Sequence, residues 1–246
     1  MMIKGSSATP RQLPLPIRLR ASSVFNSYHA GANQAAVATL RDVQRAGPSP
    51  VVFLYGVAGV GKTHLLQAVC ARAGEQQHSA TYLPMRELQD HGPDVLTGAE
   101  HMSLVCVDDV AQVLTQANWN HVLFNLHREL EERGGKLILA DEQPPAAIEF
   151  ALPDLASRVL AGTVLRLQAL TESDQVIALR LHATQRGFEL PDDVANLLLR
   201  RLRRDMHTLC DFLDELDIAS LTAQRKLTAP FVRQVLDSKT SLSGAS

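Results

Sequence analysis

A chain of 246 residues, 46% hydrophobic and 20% charged, has the make-up of an ordinary soluble globular protein and enough length for a substantial core. A formal charge of -2 excludes a protein that coats nucleic acid by charge alone. No window reaches membrane-spanning length, and the leader MMIKGSSATPRQLPLPIRLR has no apolar stretch fit for a signal peptide. The three cysteines, Cys70, Cys106 and Cys210, lie far apart in apolar runs. Their spacing suits neither zinc nor a disulfide framework, so buried thiols in a reducing cytoplasm are expected.

Residues 1–22 carry Pro10, Pro14 and Pro16 among small polar residues and read as an extended tail. A helical pattern runs from Asn33 to Arg45 and meets Gly47-Pro48. Val51–Tyr55 is a short apolar run of β-formers, hence a buried strand, and a glycine loop leads from it into a helix over Lys62–Ala73. The alternation continues with strands at Ala80–Pro84, Ser103–Val107, Lys136–Ala140 and Thr163–Leu167. Helical stretches fall at Met85–His91, Asn118–Arg133 and Pro153–Leu160. Strands separated by helices predict a parallel sheet covered on both faces. After Leu170 the strands stop. Thr171-Glu-Ser-Asp174 caps one helix, Pro191 opens the next, a third spans about Asp205–Gln224 and the last starts near Thr228. The predicted organisation is a tail over 1–22, an α/β core over 23–170, an all-helical subdomain over 171–237 and a loose tail over 238–246.

Gly56-Val-Ala-Gly-Val-Gly-Lys-Thr63 satisfies the full G-x-x-x-x-G-K-[ST] pattern of a phosphate-binding loop. Gly56, Gly59 and Gly61 let successive backbone N–H groups, Val60 among them, turn inward around phosphate oxygens. Lys62 supplies charge, Thr63 offers a hydroxyl to Mg²⁺, and the helix that His64 continues aims its positive end at the phosphates. A glycine-rich turn before an ordinary helix would lack this full pattern between strand and helix. The apolar strand ending in Asp108-Asp109 reads as the partner motif: Asp108 would hold Mg²⁺ through water and Asp109 would orient or activate an attacking water. Acidic residues also end strands in solvated turns; their place about fifty residues after the loop favours the metal reading. The scattered histidines show no ligand spacing, so no metal is expected beyond nucleotide Mg²⁺.

A helical lid after the last strand is similar to the AAA+ branch of P-loop proteins, in which Asp141, Glu142 and Gln143 would occupy the first sensor region. Leu152-Pro-Asp-Leu-Ala-Ser-Arg158, with Phe25-Asn-Ser-Tyr28, Gly31 and Asn33 upstream, resembles the family of the bacterial replication initiator DnaA, and most of all its shorter Hda-type regulatory members. Arg186-Gly-Phe-Glu-Leu-Pro191 and Leu221-Thr-Ala-Gln-Arg-Lys-Leu-Thr228 carry the resemblance through the lid, so that it covers Gln12 to Leu236. The chain stops where an initiator would continue into a helix-turn-helix domain, which weighs toward a regulator.

The resemblance implies ADP or ATP as ligand, with Phe25–Asn33 beside the base, and Arg158 as an arginine finger acting in trans on a neighbouring AAA+ domain. Its bland alternative is a helix-surface Arg in a weak ion pair. The tail segment Gln12-Leu13-Pro14-Leu15-Pro16-Ile17 resembles the peptide by which replication proteins dock on the sliding clamp, the β subunit of the polymerase. An extended Pro-rich peptide loses little entropy on binding. His207 falls where the resemblance leads to a second sensor arginine, and neutral imidazole lacks the forked charge of guanidinium. Weak self-hydrolysis is therefore expected. The run Arg200–Arg204 reads as a solvated face, with any DNA contact mostly indirect through the clamp. Oligomeric state stays open: a homo-oligomer using the Arg158 face would have to open before that residue met another partner. The implied function is a clamp-tethered adaptor that makes the initiator hydrolyse its ATP. The competing readings are a self-acting ATPase such as a helicase loader, and a clamp-loader-type subunit.

Overall fold

A computed structural model describes residues 23–45, 50–202, 205–225 and 227–243. The segment Gln12, Leu13, Leu15, Pro16, Ile17 and the residues Arg203 and Arg204 lie outside them. Helix α1 (Gln34–Arg41) precedes β1 (Val51–Tyr55), α2 (Lys62–Glu75), β2 (Ala80–Pro84), α3 (Met85–Leu88) and β3 (Leu104–Asp108). Next come α4 (Ala111–Leu114), α5 (Ala117–Glu132), β4 (Lys136–Asp141), α6 (Pro153–Ala161) and β5 (Thr163–Arg166). The lid follows as α7 (Glu172–Gln185), α8 (Asp192–Arg201), α9 (Met206–Ala223) and α10 (Ala229–Ser243).

The strands pair in the order β2-β3-β4-β1-β5, all parallel. Successive strand side chains point to opposite faces, and the two cores divide accordingly. Val52, Leu54, Leu104, Cys106 and Ile138 pack under α1 and α2, while Val51, Phe53, Val105, Val107 and Leu139 pack under α3 to α6. Burial on both sides explains why these strands read as continuous apolar runs rather than alternating ones. β5 is one of the two edge strands, and its half-buried pattern, with Val164 exposed, reflects cover on one side only. The lid closes on its own core of Leu179, Val194, Leu198, Leu209, Phe212 and Leu213.

Local chemistry sets the lid helices. Thr171 Oγ1 accepts from the Asp174 backbone N–H at 3.2 Å and starts α7. Asp205 Oδ1 accepts from the Thr208 N–H at 2.9 Å and starts α9. Two expectations shift. The first helix ends at Arg41 rather than Arg45, giving way to a turn in which the Arg45 N–H donates to Asp42 O. The last helix continues through Ser243, past Ser238 where a loose tail was expected, because no glycine or proline interrupts it before Gly244. Cys70 and Cys106 are buried thiols as expected, whereas Cys210 is only partly covered.

Candidate functional site

The carboxyl ends of β1, β3 and β4 converge where open parallel sheets hold their ligands. β1 feeds the loop Gly56–Gly61, in which Gly59 and Gly61 adopt φ of +78° and +93°. Those angles belong to glycine, and a Cβ at either position would also collide: at Gly59 with Asp205 Cβ at 2.7 Å, at Gly61 with the Tyr28 ring at 2.6 Å. The loop is thus flanked by the N-terminal segment on one side and the start of α9 on the other. Lys62 is 7% exposed, and its Nζ donates to Gly56 O at 2.7 Å and Val57 O at 3.2 Å. A buried ammonium held, among the described residues, by loop carbonyls is poised for an anion at that place.

Thr63, on the first turn of α2, donates its hydroxyl to Asp108 Oδ2 at 2.6 Å, and Tyr82 OH donates to the same oxygen at 2.9 Å. Burial pushes the Asp108 carboxyl up and the Asp109 charge adds to that, while the Thr63 and Tyr82 hydrogen bonds pull it back. A hydroxyl and a carboxylate in contact suit a hard, oxygen-seeking dication. Thr63 and Asp108 would hold Mg²⁺, which would supply charge neutralisation to bound phosphates. Asp109 takes another course. Its backbone is left-handed at φ 52°, and its two carboxylate oxygens accept from Arg86 Nε at 3.1 Å and Nη2 at 3.4 Å.

The β4 end carries Asp141, which is buried and spent on backbone. Its Oδ2 accepts from the Ala111 N–H at 2.7 Å and its Oδ1 from the Glu142 N–H at 2.7 Å. Glu142 and Gln143 are exposed. His64 turns toward the N-terminal segment: its Nε2 lies 3.1 Å from Ser27 Oγ and 3.0 Å from Val24 O. Its ring packs on Tyr28 and meets His182 of α7 edge-on at 5.7 Å. Tyr28 OH donates to Val60 O at 3.0 Å, and burial pushes its phenol up to about 12 against the Asn33 hydrogen bond. Burial, with His64 and Arg186 adding to it, lowers His182 to about 4.

The lid meets the core at this same end. Asn33 Nδ2 donates to Gln168 O at 2.9 Å and Asn33 Oδ1 accepts from the Gln168 N–H at 2.7 Å. His29 Nε2 pairs with Asp174 Oδ1 at 2.9 Å. His207 lies on the first turn of α9, two residues beyond the Asp205 that stands against Gly59. It is exposed, with Nε2 3.3 Å from Asp211 Oδ2. Arg158 lies apart from the phosphate loop on α6, with its side chain 44% exposed. Its Nη1 donates to Glu131 Oε2 at 3.2 Å, and its guanidinium sits 5.6 Å from the centre of the Phe124 ring. Arg200 and Arg201 are exposed at the end of α8.

Tyr82, Arg86, Asp205 and His182 escaped the sequence reading. Strand parity could have found Tyr82: it faces Cys106 in register, two residues before Asp108, and a buried phenol needs an acceptor. The others meet their partners through loops and the lid, and no local pattern marks them.

Residues 19–166 match the bacterial DnaA ATPase domain, which is more than half of the chain, and residues 172–236 match the Hda lid domain. The chain belongs to the DnaA family. Domain III of the replication initiation protein DnaA from Thermotoga maritima is similar at 20% identity and a TM-score of 0.76, over 90% of this chain and 98% of that one. DnaA from Aquifex aeolicus, bound to AMPPCP, is 19% identical with a TM-score of 0.66 over 80% of this chain, which spans 65% of its length. The RuvB Holliday junction branch migration motor of Thermotoga maritima reaches a TM-score of 0.61 at 14% identity, over 87% of this chain and 73% of that one. Likeness at these identities is one of fold, and the fold is that of an AAA+ core with a helical lid. Among the described residues of this DnaA-family protein no helix is long and apolar enough to cross a membrane.

Proposed function

We propose that this protein is a negative regulator of bacterial replication initiation: a nucleotide-bound adaptor that makes an ATP-loaded DnaA initiator hydrolyse its nucleotide. The observation that carries this reading is the joining, in one chain, of a DnaA-type ATPase core to an Hda lid. ADP or ATP with Mg²⁺ sits on Gly56–Thr63 and Asp108, with the base beside Phe25–Asn33. Arg158 enters the partner's site as an arginine finger. Support for this comes from its exposure on α6 and from its polar contact with Glu131 rather than with the chain's own phosphate loop. The clamp tether is the segment Gln12–Ile17, an assignment that rests on sequence alone. Turnover by the isolated protein is weak, in keeping with His207 in place of an arginine and with Asp109 engaged by Arg86.

A second reading, a self-acting ATPase, is favoured by the Thr63–Asp108 contact, which completes the metal-binding half of a hydrolytic site in cis. Hydrolysis measured for this protein alone, for initiator alone, and for both with clamp loaded on DNA separates the two. The adaptor reading expects speed only from the full mixture. Arg158→Ala should then remove the gain, about 10³-fold or more for a finger, and Gln12→Ala should remove dependence on clamp. Rapid turnover by the isolated chain, indifferent to clamp, would sink it.

A further inference from the structure

The side of α5 that meets α6 carries a stripe that the nucleotide site does not use. Phe124, His127 and Glu131 follow at spacings of three and four residues, so they share one side of the helix. Arg158 from α6 lies across this stripe, bonded to Glu131 Oε2 at 3.2 Å with its guanidinium near the Phe124 ring. Beside them His127 is 2% exposed, and its Nδ1 has no hydrogen-bond partner among the described residues. The same Glu131 oxygen stands 3.9 Å from that nitrogen, beyond hydrogen-bond reach. Burial holds His127 below its ordinary range, with the Glu131 charge pulling it up and the Arg158 charge pushing it down.

One carboxylate oxygen therefore stands between two nitrogens and satisfies one of them. We propose that Glu131 is a positioning residue for Arg158: it parks the guanidinium over Phe124 in the free protein, and passes to His127 when Arg158 leaves for a nucleotide phosphate on a partner. The inference rests on the reading of Arg158 as a finger acting in trans. An exposed ion pair is weak enough to be given up, and a phosphate matches the guanidinium fork at higher charge than one carboxylate. The transfer asks little of the structure. Closing the Glu131–His127 gap to a hydrogen bond needs a shift of about 1 Å, and it gives the buried Nδ1 an acceptor once that atom carries the proton.

The test begins with Glu131→Gln, a change at an exposed position that leaves the fold in place. Made on the His127→Phe background so that no hand-over contributes, it should lower, in the mixture of initiator, DNA-loaded clamp and ATP, the concentration of this protein giving half-maximal stimulation about two- to five-fold, the scale of one exposed pair. The rate at saturation should stay the same, because only the fraction of molecules with a free finger has changed. An unchanged or higher concentration overturns the proposal. His127→Phe, which removes the receiver, should move that concentration upward; no shift, or a fall, overturns the hand-over. If Arg158→Ala leaves stimulation intact, the finger reading fails, and the parking contact is then decided on the isolated protein. There the Nη–Hη NMR signals of Arg158, assigned by their loss in Arg158→Ala, should exchange faster with water in Glu131→Gln than in the parent. Equal exchange in both overturns the contact.

Discussion

The phosphate-loop end of the sheet and the α5–α6 face treat their charges in opposite ways. At the loop, Lys62, Asp108 and Asp141 are buried, and each is bonded to groups fixed by the fold. On the α5–α6 face, Arg158 and Glu131 are each 44% exposed and share one contact. A buried set held by the fold changes little on its own and suits a ligand that stays. A surface pair exchanges partners at small cost and suits a residue whose target lies elsewhere. On the proposed reading, the molecule separates the place where it holds nucleotide from the place where it acts.

The comparison is broken first at the loop. Lys62→Ala should weaken nucleotide binding on the order of 100-fold, the scale of a lost charge-assisted bond to phosphate in a buried setting. Titration with a fluorescent nucleotide measures this, and Arg158→Ala in the same titration should bind like the parent. Loss of affinity in Arg158→Ala would tie the two regions together. Acid comes next. The folded pKa of His182 is about 4 against an ordinary 6.5, so the unfolded chain takes up the proton first as pH falls. Stability is fully present above pH 6.5 and declines toward pH 4, by up to roughly 3 kcal/mol. Urea midpoints across that range should flatten in His182→Gln; an equally steep decline would show that other groups carry it. The smallest effect is at His207. Changing it to Arg should raise hydrolysis by the isolated protein a few-fold, as one added forked donor near the phosphates allows. A flat response would remove this position from the nucleotide site.

The fold was legible because both of its signals are local. Buried parallel strands read as short apolar runs, and the loop from Gly56 to Thr63 keeps its spacing whatever surrounds it. The boundaries were less so: α10 outlasts its expected end because helix continuation depends on the absence of a breaker rather than on a positive mark. The candidate site divides along the same line. Lys62, Thr63 and Asp108 announce themselves by motif. Arg86 reaches Asp109 across 23 residues, Tyr82 reaches Asp108 across 26 and Tyr28 reaches Val60 across 32. Those contacts come from strand order and loop path, which no window of sequence contains.

Asn33 has a mechanical consequence. Its amide clasps the backbone of Gln168 in both directions, just where the chain leaves β5 for the lid. The nearby His29–Asp174 pair pins the same entry segment to the first turn of α7. A load applied ahead of Val24 would therefore pass the contacts to His64 and Val60 and then reach the root of the lid. Were the protein leashed by its leading residues, tension in the leash would bear on the joint between the two subdomains.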